Sequence, residues 1–153
     1  MDEAYKEVWR KKISGNVTFV EENAVNTAEF TELLSYEKDT TPLVHRSKIV
    51  IYTNGIITYH FGGFTVGEES FMGKLDDVLL HEIRRLMESD ALQNEKSCTE
   101  LMMDGMYSTL TLETERGMKL ISNLNCKKNK FSFEYQCLLY LISVITEELR
   151  LLK

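Results

Sequence analysis

Proline is nearly missing from this chain. There is one, Pro42, among 153 residues, and there are only eight glycines. So little of either excludes a collagen-like repeat, a proline-rich linker and extended disorder. Cysteine is scarce as well. Cys98, Cys126 and Cys137 are odd in number and lack metal-ligand spacing. They are expected to be free thiols in a reducing compartment. Long apolar runs are absent. The longest, Cys137–Ile145, is too short to span a bilayer. Met1-Asp2-Glu3-Ala4-Tyr5-Lys6 has neither the basic start nor the apolar stretch of a secretory signal, so a cytoplasmic location is expected. Positive charge is in deficit. Eighteen Lys and Arg face 24 Asp and Glu, and a net charge of −6 argues against direct nucleic-acid binding.

What remains is ordinary globular composition, 43% hydrophobic and 27% charged. A single α+β domain over 1–153 is expected, able to bury roughly 70% of its unfolded surface. Its sections are an N-terminal helical part, 1–42, and two hairpin–helix units, 43–90 and 105–153. The expected fold is an antiparallel sheet of four to five strands with helices mainly on one face.

Within 1–42, Tyr5, Val8, Trp9 and Ile13 form one helical stripe, with Asp2 as its cap and Arg10, Lys11 and Lys12 near its end. Val17–Glu21 reads as a short strand. Asn26 or Thr27 can cap a short helix carrying Phe30, Leu33 and Leu34, and Glu37–Pro42 reads as a polar loop.

Asn54-Gly55 is the strongest local signal. It suits a two-residue type I′ turn, which needs φ > 0 at both central positions. That turn pairs Tyr52 with Ile57 and Val50 with Tyr59. It places Val50, Tyr52, Ile57, Tyr59 and Phe61 on one face, and Ile49, Ile51, Ile56, Thr58 and His60 on the other. An amphipathic helix is expected from about Ser70 to Ser89, with Phe71, Leu75, Val78, Leu79, Ile83, Leu86 and Met87 as its stripe.

In the second unit, Glu115-Arg116-Gly117 suits a turn with a glycine bulge, pairing Glu113 with Lys119 and Leu112 with Leu120. Ser132 can cap a last helix with two apolar stripes. One is Tyr135, Leu138, Leu139, Ile142, Ile145, Leu149 and Leu152; the other is Cys137, Leu141, Val144 and Leu151. Such a helix is buried on two sides, either between the sheet and the first helix or in a homodimer through Ser132–Lys153.

No catalytic, cofactor or metal set emerges. His81-Glu82 begins like a zincin helix, but Arg85 stands where the second histidine is needed. His60 and His45 have no local acidic or nucleophilic partner. Gly62-Gly63 and Phe64 lie in what reads as a strand-to-helix turn. Such turns can cradle phosphate, yet this one lacks a P-loop lysine, and Glu68-Glu69 would repel the anion. Cys126 precedes Lys127 and Lys128, which could activate it, but no histidine is near in sequence. Lys127, Lys128 and Lys130 read as a solvated flank. Met102, Met103 and Met106 read as gap-filling core.

The reading is therefore of a non-enzymatic acidic protein that binds another protein, a basic one by charge. Size and charge are similar to those of immunity proteins and phage-encoded nuclease inhibitors, an analogy without a motif behind it. Its expected anchors are Ile49, Ile51 and Ile56, rimmed by Glu68 and Glu69. The alternatives are a small-ligand or nucleotide-binding module using Gly62-Gly63, Tyr52, Tyr59 and Phe64, and an enzyme with a non-local site.

Overall fold

The computed structural model describes residues 3–21, 26–41, 45–63, 67–100 and 105–152. The expected roles of Asp2, Pro42, Phe64, Met102 and Met103 fall outside these. Helix α1 spans Glu3–Ile13 and strand β1 spans Val17–Phe19. A meander follows: β2 (Glu32–Thr41), β3 (His45–Tyr52), β4 (Ile56–Gly63) and β5 (Glu69–Leu75). Next come α2 (Asp77–Met87), α3 (Asp90–Gln93), β6 (Cys98–Thr99), β7 (Gly105–Thr114), β8 (Gly117–Leu124) and α4 (Phe133–Leu152).

The chain is α+β, with one eight-stranded sheet among the described residues, ordered β1-β5-β4-β3-β2-β7-β8-β6. Only the β6–β8 pair is parallel. Buried residues of all four helices join one core with the sheet: Trp9 and Ile13, Leu79 and Ile83, Leu92, and the α4 stripes. Val50, Tyr52, Ile56 and Met72 form a small second cluster on the other face, closed by Val20 and Phe30.

The sheet is larger than expected because two segments are strands rather than helix or loop. Leu33 and Leu34 both point inward because the β2 register shifts between Glu32 and Leu34, as at a bulge. Their adjacency imitates one turn of a helical stripe. Asn26 does cap, but only a three-residue 3-10 turn at Thr27–Glu29. Glu37–Thr41 continues β2. Its low strand propensity is offset by neighbours on both edges and by cross-strand pairs, Glu37–Lys48 at 3.1 Å and Asp39–Arg46 at 3.6 Å. Ser70–Leu75 is likewise strand, not helix. Phe71 and Leu75 are four apart, which is two strand periods and close to one helical turn, so helical and extended patterns agree there. The helix starts at Asp76, whose carboxylate accepts from Leu79 N–H at 2.9 Å.

Both hairpin registers differ by one residue from expectation. At Asn54-Gly55 the ladder pairs Ile51 with Ile57 and Ile49 with Tyr59. The turn leaves three residues in the loop, with only Gly55 at positive φ, +88°. Neighbouring backbone holds this longer loop. Thr53 N–H donates to Thr31 O, and Leu75 N–H to Gly55 O, each at 2.9 Å. A one-residue slip exchanges faces. Ile49 and Ile51 therefore join the main core with Ile57 and Tyr59, while Val50 and Tyr52 face away from it. At the second hairpin Thr114 pairs with Gly117, Glu113 with Met118 and Leu112 with Lys119. The Thr114 hydroxyl closes that tighter turn, donating to Gly117 O and accepting from Arg116 N–H.

Helix α4 is capped by Ser132, whose hydroxyl accepts from Tyr135 N–H at 3.2 Å. Both of its stripes are buried within the chain, against the sheet and against α1, α2 and α3. Leu151 and Leu152 at its end are exposed.

Candidate functional site

The sheet's helix-facing side changes character along its strands. Cross-strand rows set by the register run from apolar to polar. One row is Tyr36, Ile49, Tyr59, Phe71, Leu110 and Ile121. The next is Lys38, Ser47, Phe61, Ser108 and Asn123. Helix α4 covers the first row and leaves the second beside an open flank. The result is a groove of about 830 Å³ with the sheet as floor. One wall is the α4 flank of Gln136, Leu139, Tyr140, Ser143, Thr146, Glu147 and Arg150. These residues recur every three or four positions, so they share one side of the helix.

The second wall is the loop after β8. Asn123 clamps it, accepting from Cys126 N–H at 2.9 Å and donating to Cys126 O at 3.3 Å. Asn125 adopts φ +64°, and its side chain accepts from Met106 N–H at 2.7 Å. The Asn125 amide packs so closely on β7 that a Cβ at Gly105 would fall on it. Phe131 stacks on Tyr135 at 4.3 Å, and Gln136 donates to Phe131 O.

The groove's charge is opposite to that of the whole chain. Lys6, Lys38, Lys127, Lys128 and Arg150 line it, against Glu147 as the one carboxylate among its described lining residues. Lys6 lies 5.8 Å from the centroid of the Tyr140 ring, and the Tyr140 hydroxyl donates to Lys6 O. Arg150 lies 5.6 Å from the centroid of Phe61. Tyr36 and Ser108 from the floor and Tyr135 from α4 add hydroxyl-bearing side chains to the lining. Burial pushes the Tyr36 and Tyr135 phenols above their ordinary pKa, most strongly at Tyr135, and Ser108 offsets part of the shift at each. The Tyr135 hydroxyl is buried near Ser108 without a hydrogen bond of good geometry among the described residues. The arrangement can hold an anion by charge and an apolar body on aromatic and aliphatic walls.

The anchors expected from the sequence are not a surface. Ile49, Ile51 and Ile56 are 2%, 0% and 7% exposed. The first two lie under the helices, and Ile56 lies on the opposite face beneath Phe30 and Val20. Glu68 and Glu69 are exposed and rim a second, mixed-charge groove with Arg46, Lys48 and His60, and the register sets Glu69 beside Phe61, at the β5 end of the polar row. Gly62 and Gly63 belong to β4, and the next element is the strand β5, so among the described residues no helix N-terminus follows them to hold a phosphate. Tyr59 does line the cationic groove, whereas Tyr52 is on the other face.

His60 is exposed, its Nδ1 2.6 Å from the Ser70 hydroxyl. His45 stacks on Phe61 at 6.1 Å, with a buried Nδ1 that has no hydrogen-bond partner among the described residues. His81 is exposed on α2. The cysteine expectation is overturned for two residues. Cys98 and Cys126 are disulfide-bonded, and Cys137 is free and buried. Parallel pairing of β6 with β8 brings the two Cα atoms to 6.2 Å, a proximity that a separation of 28 residues conceals. The bonded pair no longer argues for a reducing compartment. Among the described residues, no helix is long and apolar enough to cross a membrane.

Sequence reasoning missed Tyr36, Lys38 and Ser108, because β2 was expected to be helix and loop. The alternation of Leu34, Tyr36 and Lys38 is the signal that a strand reading would have used. Lys127 and Lys128 were noticed, but only as a flank. No protein-family model matches the chain, and no curated protein matches its sequence.

Proposed function

We propose that this protein is a non-enzymatic binding module for an organic anion with an apolar body, seated between α4 and the polar end of the sheet. One observation carries this reading: five cationic side chains converge on one groove in a chain of net charge −6. Solubility alone gives no reason to gather the minority charge in one concavity. The groove's volume lies within the range of small-molecule sites. Lys38 and Ser108 would engage the anionic group. Ile49, Leu139 and Ile142 would pack against the ligand's body.

Equilibrium dialysis against a panel of amphipathic carboxylates and phosphate esters tests this. Binding should weaken with added salt, and Lys38→Glu or Lys127→Glu/Lys128→Glu should abolish it. Equal binding by these variants, or none by the wild type, rejects the proposal.

A second reading keeps the acidic, inhibitor-like or immunity-type protein and moves its partner site. On the outer face of β7 and β8, Tyr107, Met118 and Leu120 are 44%, 67% and 51% exposed. Asp39 and Glu113 sit directly opposite Tyr107 and Met118 across the strands. That is an apolar patch with acidic neighbours, the pattern expected for meeting a basic protein. In this reading Leu120→Lys disrupts complex formation in the native host while the groove variants do not.

A further inference from the structure

We propose that Cys98, Cys126 and Glu100 form a binding site for a zinc-class divalent metal ion when the disulfide is reduced. Their two sulfurs and a carboxylate oxygen all lie within 4.8 Å of one another. Cys98 and Glu100 are two apart along extended chain, so they present side chains to the same side. The sulfur–sulfur bond is not what holds the three residues together. Cys98 and Thr99 pair with Asn123 and Leu124 of β8. Glu100 N–H donates to Leu124 O at 2.8 Å. Both backbone groups of Cys126 are clamped by the Asn123 amide. These hydrogen bonds do not involve the sulfurs, so the donor set keeps its placement after reduction.

The chemistry of the set is selective. Two thiolates and one carboxylate are three protein ligands, leaving one tetrahedral position for water, as in open zinc sites. Thiolate softness favours zinc over magnesium or calcium. Glu100 is exposed and Cys98 half-buried, which gives an ion a way in.

The balance of the step is simple. A phosphine reductant takes oxygen from water and becomes the phosphine oxide. Its two electrons and the two protons of that water convert the disulfide to two thiols. Both thiols release their protons as the divalent ion binds, and the Glu100 carboxylate supplies the third donor. An added small-molecule disulfide re-forms the bond, accepting the two electrons and two protons to become two thiols as the ion leaves, so metal occupancy follows the redox state of the pair.

The test uses the full chain, with and without phosphine, titrated with cobalt(II) and then with zinc(II). The reduced protein should take up one cobalt per chain with a near-ultraviolet thiolate-to-cobalt charge-transfer band, which zinc then removes. Zinc should also protect two of the three thiols from alkylation. The oxidised protein should show neither effect. Cys98→Ser/Cys126→Ser should abolish binding. If that variant does not fold, Glu100→Gln, at an exposed position, serves instead. It should weaken zinc by at least the roughly tenfold that loss of an outer-shell partner costs. The proposal is overturned if reduced wild type binds cobalt without the charge-transfer band, or no tighter than these variants do.

Discussion

Gly73 is where α4 meets the sheet most closely, and a single methyl group there tests the whole helix–sheet arrangement. Gly73 pairs with Ile57 on one side and with Phe19 on the other, near the outer edge of the sheet. A Cβ at this position would lie 2.5 Å from Leu149 Cδ1 and 2.7 Å from the carbonyl oxygen of Thr18. Leu149 is fully buried in the core and can turn its methyl only by disturbing its neighbours. The Thr18 carbonyl is backbone of β1 and yields only if the edge strand shifts. Overpacking of this kind costs about 1–3 kcal/mol. With roughly 2–4 °C per kcal/mol for a chain of this length, Gly73→Ala should lower Tm by about 2–12 °C. Leu149→Ala alone should cost about 2–5 kcal/mol through the cavity it leaves. The two should not add. Removing the Leu149 methyls relieves one of the two clashes, so urea unfolding of the double variant should show a favourable coupling of about 0.5–3 kcal/mol. The Thr18 clash persists, so the relief is partial. An unchanged Tm for Gly73→Ala, or strictly additive variants, refutes the seating of α4 on β5.

Gly55→Val should lose well over ~1 kcal/mol in urea unfolding, because a β-branched residue is forced to φ +88° and its Cβ meets Leu75 O at 2.9 Å; an unaltered midpoint would contradict the turn. Alkylation in denaturant without reductant should label one cysteine, Cys137, and label all three after reduction; three labels before reduction would contradict the disulfide. Burial raises the phenols of Tyr36, Tyr59 and Tyr135. The unfolded chain therefore releases these protons first, near the ordinary value of ~10, and stability that is full below that pH should fall as pH rises through and beyond it. Tyr135→Phe should flatten this alkaline loss. It should also raise stability at neutral pH by up to about 1–3 kcal/mol, since it removes a buried hydroxyl without a partner; destabilisation at pH 7 would mean that the hydroxyl is satisfied.

The elements legible in the sequence are those whose signal is local. Helix α4 announces itself by two unbroken stripes and a serine cap, and Asn54-Gly55 marks its turn. What was not legible depends on neighbours distant in the chain. The loop at Asn54-Gly55 takes three residues because Thr31 and Leu75 bind its backbone. That single extra residue exchanged the faces of β3 and carried Ile49 and Ile51 from an expected surface into the core. The charged stretch Glu37–Thr41 is strand because β3 and β7 flank it. The groove was hidden by the same error, since Tyr36 and Lys38 of its floor come from β2.

The groove also shows what composition leaves out. Net charge is a sum, and a sum carries no position. Lys6 comes from α1, Lys38 from β2, Lys127 and Lys128 from the loop after β8, and Arg150 from the last turn of α4. In sequence these are four isolated solvated positions or flanks of elements. Only the antiparallel pairing of β2 with β7, and the close seating of α4 on the sheet that Gly73 permits, bring them to one concavity. A chain that is acidic in sum thereby presents a cationic, aromatic-walled groove, and the proposed ligand class rests on that local sign rather than on the total. The same reasoning applies to Cys98 and Cys126, which look like unrelated thiols until the two-residue strand β6 sets them side by side.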